Sequence, residues 1–545
     1  MRKLILPLLV MIVLIPSAFV NSTPNYWGVS FPESDFDFAI NQSLDPQFDT
    51  KYEKMVHHET GLYAVGERGM ERKSVDDPHA LGIYRFDYGG VLVWETIWEP
   101  PSQEFDYECF YTAPHIMIYD DIIYILLETR DFDDWYYYIL SFDLEGAPLL
   151  ESRYHRDMDT EFNDLIVNEY GIYVIGTVLS DEDLCRDINI RLFDFNGNMK
   201  NNITWEKSVS LDEDMIISQV KHDTDNIFVL GYSVPDMKDN STGLFVISLE
   251  MSLNVIWEYW YHNTYADDPD IFYKYEDQFL ILNEDKILIV SSTNYCVGEW
   301  YSFTNHPGLN FLIALNLDGT LAYNVTLKNN ADKLLSFEDV KLFNNIIYCI
   351  GTQYIFPDEN FFIIAYNTMG EIQWESYFND QHDFDGDYFN TVISDKGIFL
   401  FTTDTKYMYE EWVDNEVYAY YNGSFVLHSL HLNGTIINKN GMLTPLTYRI
   451  TTAFQHNDTI YISGYIHEAY STANPIFGTE RYRYTSAFIL GFDLSEEDEL
   501  DDEGDSAPEK SSSGEIYPII FILIIFVLIL LLIIFNKIKK TRGNT

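Results

Sequence analysis

The chain has 545 residues, with 86 acids against 33 bases and a formal net charge of −53. That excess repels phosphate backbones and anionic membrane surfaces, which excludes nucleic acid as a partner and leaves cations, basic proteins and neutral glycans. Hydrophobic residues at 47% and aromatics at 16% mark a folding sequence, and four cysteines (Cys109, Cys185, Cys296, Cys349) are too few for a disulfide framework.

The first segment, residues 1–22, has the form of a secretory signal. Arg2 and Lys3 precede an apolar run over 4–15, and Ala18 or Ser22 offers a small residue for cleavage. The length of the run leaves an uncleaved anchor as the alternative. A strand-like piece, YWGVSF at 26–31, follows with Trp27 and no unit around it.

From residue 61 onward one figure recurs: a turn, aliphatic–aromatic–aliphatic residues, then usually glycine. Its eight copies start at Gly61, Asp121, Gly171, Asn226, Lys286, Asn345, Gly397 and Thr459, 50 to 62 residues apart. Such a period is the mark of a repeat architecture. Each copy has a strand-like run before it, such as NDLIVNEY, and after it a variable loop and a second apolar strand, such as INIRLFDFNG. Most of these end in Asn-Gly, Asp-Gly or a relative, the hairpin signal. A last strand then carries Trp94, Trp205, Trp257 or Trp374, with Leu150, Tyr323 or Ile437 in other units. We read this residue as bulk that fills the space between neighbouring sheets.

Four antiparallel strands repeated eight times predict an all-β, eight-bladed β-propeller over 25–494. The eighth unit stops at AFILGFDL without a fourth strand, and the strand at 26–31 lacks a unit. The amino-terminal strand is therefore expected to complete the last blade and close the ring.

Strand order puts the loop between second and third strands on the same rim as the blade-to-blade connections. Long loops are expected there at 67–80, 179–187, 294–309, 404–422 and 467–485. The last three are rich in aromatics, and the candidate ligand-binding residues are Trp300, Tyr301, Tyr407, Trp412, Tyr420 and Tyr484. Acid clusters recur in the connections at 35–38, 157–161, 212–214, 267–270 and 383–387. In DFDGD, Asp383, Asp385 and Asp387 with Gly386 form the candidate Ca²⁺ site, although the spacing is not that of an EF-hand. A solvated acidic loop is the plain alternative. His-Glu-x-x-His, Gly-x-Ser-x-Gly, a phosphate loop and Cys-x-x-Cys are all absent, so no catalytic residue is assigned. His428 and His431 sit three apart on an expected strand and should face opposite sides, which makes them a poor metal pair.

The repeats, running G-x-[LIV]-Y-[VL]-x-G and then through an Asp/Asn-rich hairpin to a tryptophan strand, resemble those of pyrroloquinoline-quinone-type and related bacterial and archaeal β-propeller repeat proteins. The resemblance covers about 25–494 and implies the propeller fold. The regular Thr-Gly-[Lys/Glu]-x-x-Trp docking motif of the quinoproteins is not retained; only Gly370 to Trp374 comes near it. Quinone-dependent catalysis is therefore not implied.

An acidic, Ser-rich stalk follows at 495–515, then twenty mostly apolar residues at 516–535, long enough for one transmembrane helix. Lys537, Lys539, Lys540 and Arg542 place the tail, 536–545, on the cytoplasmic side and the propeller outside. Seven sequons agree with that side: Asn41, Asn202, Asn240, Asn324, Asn422, Asn433 and Asn457. The sequence thus predicts a single-pass cell-surface protein whose propeller is a binding or adhesion module for a protein or glycan. The alternatives are a metal-assisted hydrolase with axial carboxylates and a Ca²⁺-dependent surface-coat component.

Overall fold

The computed structural model describes residues 38–40, 50–69, 79–99, 109–110, 114–131, 134–156, 160–179, 185–205, 213–235, 243–262, 271–283, 285–297, 310–327, 334–355, 358–378, 389–413, 416–444, 447–472 and 479–493. The expected signal, the 26–31 strand with Trp27, the stalk, the apolar segment 516–535 and the tail lie outside these residues. Contacts divide the chain into Met1–Glu496 and Glu497–Thr545, and all described residues belong to the first unit. Among the described residues all regular elements are β-strands, and no helix is long and apolar enough to cross a membrane.

Eight four-stranded antiparallel blades follow one another: 50–98, 109–156, 160–205, 213–262, 271–326, 334–378, 389–444 and 447–493. In blade two the first strand comes in two pieces, Cys109–Phe110 and His115–Tyr119. Second and third strands are buried on both faces. In blade one, for example, Leu62, Tyr63, Ala64, Val65, Ile83 and Tyr84 are all fully covered. The near-continuous Val/Ile/Leu/Tyr runs that marked each repeat have this cause: both faces of a blade meet another blade. The fourth strand is the outer edge, and in Leu92–Trp98 half-buried and exposed residues alternate.

One apolar layer joins each of the first six blades to the next, such as Ile125 and Leu140 of blade two packed with Val65 and Ile83 of blade one. The ring closes where Tyr461 and Ile489 of blade eight pack on Met55, Leu62 and Phe86 of blade one. Blade eight has only three strands of its own, as expected. Its fourth is Phe38–Ile40, with Phe38 opposite Phe492, Ala39 opposite Gly491 and Ile40 opposite Leu490. The closing strand therefore lies later in the chain than 26–31, at the end of the acidic 35–38 cluster, and carries no tryptophan. Trp27 is not explained by it.

The turns between third and fourth strands are set by side chains. Asp143 Oδ1 accepts from Ala147 N at 2.7 Å, Asp194 Oδ1 from Asn198 N at 2.8 Å, and Asn367 Oδ1 from Glu371 N at 2.9 Å. The glycine that closes such a turn is left-handed, for example Gly319 at φ 80° and Gly434 at φ 82°.

Those turns explain the recurring tryptophan more fully than bulk does. Trp94 of blade one donates its indole N–H to Leu144 O, in the turn of blade two, at 2.9 Å. Trp257 of blade four does the same to Leu317 O of blade five at 3.0 Å. At the equivalent position Tyr323 donates its hydroxyl to Thr368 O of blade six, and Asn201 Nδ2 donates to Ser252 O of blade four at 3.1 Å. The position is a clasp onto the next blade that wants a donor as well as volume. Two assignments change with it. Trp205 stands opposite Ile188, four residues beyond the clasp residue Asn201, which is opposite Leu192. In blade seven Asn438, and not Ile437, faces Ser429.

Candidate functional site

At one level of the first strands, eight residues occupy the same register. They are Lys54 opposite Val65, His115 opposite Leu126, Asp164 opposite Ile175, Gln219 opposite Leu230, Phe279 opposite Val290, Asp339 opposite Ile350, Asn390 opposite Phe401 and Thr452 opposite Ser463. All are polar except Phe279, and all are half-buried. In blades one, three, four, six and eight a break in register stands immediately before this residue. A bulge re-aims the side chain that follows it, and members of this ring, with or without a bulge, link neighbouring blades. Met55 N donates to Thr452 Oγ1 at 3.2 Å, Leu280 N to Gln219 Oε1 at 2.9 Å, and Asn390 Nδ2 to Ile450 O at 3.2 Å.

Both carboxylates of the ring have a partner. His115 Nδ1 lies 3.6 Å from Asp164 Oδ1, and Lys341 Nζ lies 3.0 Å from Asp339 Oδ1. Burial works to raise the Asp164 carboxyl, yet His115, the charge of Lys54 and the Leu165 amide together hold it below the usual carboxylate range. At Asp339 burial wins and pushes the carboxyl up, against the pull of Lys341, the Val340 amide and Thr391. The two carboxylates stand on blades three and six, Asp164 beside His115 and Asp339 beside Lys341. The sequence reading passed over the ring because each bulge breaks the two-residue alternation that reveals which face a residue occupies.

On the connection rim the expected loops at 404–422 and 467–485 are instead β-ribbons. Gly397–Val413 and Glu416–Leu430 have 17 and 15 residues, and Thr459–Thr472 and Thr479–Asp493 have 14 and 15. Alternating Tyr, Thr and Val in both arms carry the pairing past the body of the blade. The two ribbons pair with each other, Tyr418 opposite Thr472, Ala419 opposite Ser471 and Tyr420 opposite Tyr470, and so fuse blades seven and eight into one sheet. Of the candidate residues, Tyr407 is opposite Tyr421, Trp412 opposite Val417, Tyr420 opposite Tyr409 and Tyr484 opposite His467. The structure thus brings these four onto one platform. Trp300 and Tyr301 lie outside the described residues.

The candidate cation ligands Asp383, Asp385 and Asp387 also lie outside. Two other acid clusters are partly described, and both serve Arg186. Glu161 Oε2 is 2.5 Å from its Nη1, and Asp214 Oδ1 accepts from its backbone N at 2.9 Å. His428 is 2% exposed on its strand, whereas His431 lies just past the end of that strand, Glu416–Leu430, and is exposed. On the hairpin rim His58, Glu59 and Asp121 bring ligand atoms within 4.8 Å of one another and are the residues that could hold a metal. There His58 Nε2 is 3.2 Å from Asp121 Oδ1, an exposed contact of the kind worth about 0–1 kcal/mol. Of the sequons, Asn202, Asn324, Asn433 and Asn457 are exposed; Asn41 and Asn240 lie outside, and Asn422 falls on a ribbon strand.

No protein-family model matches the chain, and no curated protein sequence does. Solved structures do resemble it. The β-propeller domain of the trilobed protease from Pyrococcus furiosus is 8% identical, with 70% of this chain and 97% of that one covered and a TM-score of 0.33. Prolyl oligopeptidase B from Galerina marginata is 11% identical with a TM-score of 0.42, and the match covers 76% of this chain but 55% of the peptidase. A polysaccharide lyase is 9% identical, covered over 89% of its length against 70% here, with a TM-score of 0.36. The fold is a β-propeller. These neighbours are enzymes of different classes, and at such identities the likeness extends to the fold alone.

Proposed function

We propose that the chain is a single-pass cell-surface protein, built from quinoprotein-type repeats without their cofactor docking, whose propeller binds a protein or glycan outside the cell. The observation that carries this reading is the paired ribbon platform. Two neighbouring blades extend on the same rim and join edge to edge, so a Tyr- and Trp-rich strip is held on a rigid scaffold, the usual setting of a binding surface. The strands of the first six blades are no longer than 13 residues, so the platform is an addition that ring closure does not need. The signal at 1–22, the helix at 516–535, the basic tail and glycans on the sequons complete the proposal, with Ca²⁺ at Asp383, Asp385 and Asp387 in the neighbouring connection.

Pull-down with the purified chain, with and without Ca²⁺, tests it. Alanine at Trp412, Tyr420 and Tyr484 should abolish partner capture while the melting temperature holds. Capture unchanged in that variant refutes the reading.

A further inference from the structure

The hairpin rim carries two side chains whose chemistry the fold does not require. Opposite the turn glycine of blades three and seven stand Asn168 and Ser394, and each caps its turn. Asn168 Oδ1 accepts from Tyr170 N at 2.9 Å, and Ser394 Oγ from Lys396 N at 3.2 Å. Blade one has His58 at this place, opposite Gly61, and its Nδ1 accepts from Thr60 N at 3.4 Å. One acceptor is enough for the turn, yet an imidazole brings a second nitrogen. That nitrogen, Nε2, lies 3.2 Å from Asp121 Oδ1 of blade two. The carboxylate is as dispensable to its own turn as the imidazole is. Asp120 and Asp121 turn at φ 50° and 59°, and blade six makes the same turn at the same angles with Asn344 and Asn345.

Glu59 joins these two, and one ligand atom from each of the three lies within 4.8 Å of the others. Four-coordinate zinc holds its ligand atoms about 3.3 Å apart, given bonds of about 2.0–2.2 Å. The His58–Asp121 separation of 3.2 Å is already such an edge, and Glu59 is exposed and reaches the same point by turning its side chain. The imidazole is also supported from behind. Thr60 Oγ1 lies 3.0 Å from His58 Nδ1 and 2.7 Å from the hydroxyl of Tyr63, which is fully buried. A hydroxyl accepts as well as donates, so Nδ1 can hold the proton and leave the Nε2 lone pair facing outward, the usual support of a ligand histidine. The hairpin itself is braced: Arg85 Nη2 donates to Thr60 O at 2.9 Å, and Tyr88 donates its hydroxyl to His58 O.

We propose that His58, Glu59 and Asp121 bind a divalent transition metal of the zinc class across the seam between blades one and two. One imidazole with two carboxylates neutralises the ion and suits Zn²⁺, Co²⁺ or Cu²⁺, whereas Ca²⁺ takes oxygen ligands and more of them. The site lies on the rim opposite the ribbon platform, so its test and that of the platform are independent.

The test uses the full chain, stripped with EDTA and titrated by calorimetry with Zn²⁺ alone. The tightest binding step should lose at least tenfold in affinity in His58→Ala and in Asp121→Asn. The second variant keeps the left-handed turn, as Asn345 does in blade six, so its melting temperature in EDTA should match the parent. Zn²⁺ should raise the melting temperature of the parent and not of either variant, since only an ion bound to the folded state stabilises it. With Cu²⁺ in place of Zn²⁺, electron paramagnetic resonance should show coupling to an imidazole nitrogen that His58→Ala removes. Unchanged Zn²⁺ affinity in Asp121→Asn or in folded His58→Ala overturns the proposal. Displacement of bound Co²⁺ by excess Ca²⁺ overturns it as well, because that result marks an acidic surface without an imidazole ligand.

Discussion

Tyr323→Phe isolates what the clasp residue contributes, because it deletes one oxygen and leaves the ring that fills the space. The hydroxyl is partly buried between blades five and six and donates to Thr368 O in the hairpin turn of blade six. Burial pushes this phenol above its usual range, so the proton is in place throughout neutral pH. A neutral bond of this type has a net worth of about 0.5–1.5 kcal/mol. The turn is open enough for water to reach the abandoned carbonyl, so the full penalty of a buried orphan does not apply, and we expect about 1 kcal/mol. Tyr154→Phe removes a second inter-blade hydroxyl, one that stands four residues beyond the clasp residue Leu150 and donates to Gly197 O of blade three. The two sites lie in separate interfaces, so the double variant should lose about 2 kcal/mol additively. Urea unfolding followed by tyrosine and tryptophan fluorescence measures the global change, and hydrogen exchange of the 367–370 and 194–197 turns locates it. If these two sites need only volume, both variants match or exceed the parent. Unchanged stability with unchanged exchange at those turns would refute the clasp.

Gly319→Ala should cost about 3 kcal/mol, from a left-handed backbone at φ 80° and a new Cβ only 2.5 Å from Trp257 Cδ2; denaturant midpoints check it, and a loss below about 1 kcal/mol contradicts the packing described. Asp164 is held below its ordinary range, so its contribution is complete above the unfolded value and fades as pH falls through about 4 and below. Asp164→Asn should flatten that part of the stability profile and leave neutral stability lower by a constant amount. Cys349 is fully buried, and burial pushes its thiol far above the usual range. It should resist iodoacetamide at pH 8 in the native chain and react once denaturant is added, as peptide mass spectrometry will show.

Much of the architecture could be read from the chain because a blade buried on both faces needs a continuous apolar run in each central strand. Ile172–Ile175 and Ile347–Ile350 advertise that need without any knowledge of their neighbours. The Asn-Gly and Asp-Gly turns then fix the count of strands. Register was harder to read. Trp205 looked like Trp94 because both precede glutamate, yet with the same turn and the same bulge in both blades Trp205 simply stands four residues further along its strand. The ribbons were misread as loops for a related reason: Asp404 and Gly423 carry turn chemistry, and pairing between blades seven and eight, which no local pattern announces, holds the strands straight through them. The axial ring was hidden outright, since its members share a position only after each bulge is counted.

The three-residue strand that shuts the ring has a consequence for how the molecule is made. Met55 N reaches Thr452 Oγ1 across 397 residues of sequence, and the seam beside it cannot form until blade eight has been synthesised. Until then the flank of blade one around Leu62 and Phe86 has no cover. A ribosome-bound or prematurely terminated chain therefore displays an oily surface for the whole of translation, which makes this flank the natural target of a holding chaperone and the place where truncated products will aggregate.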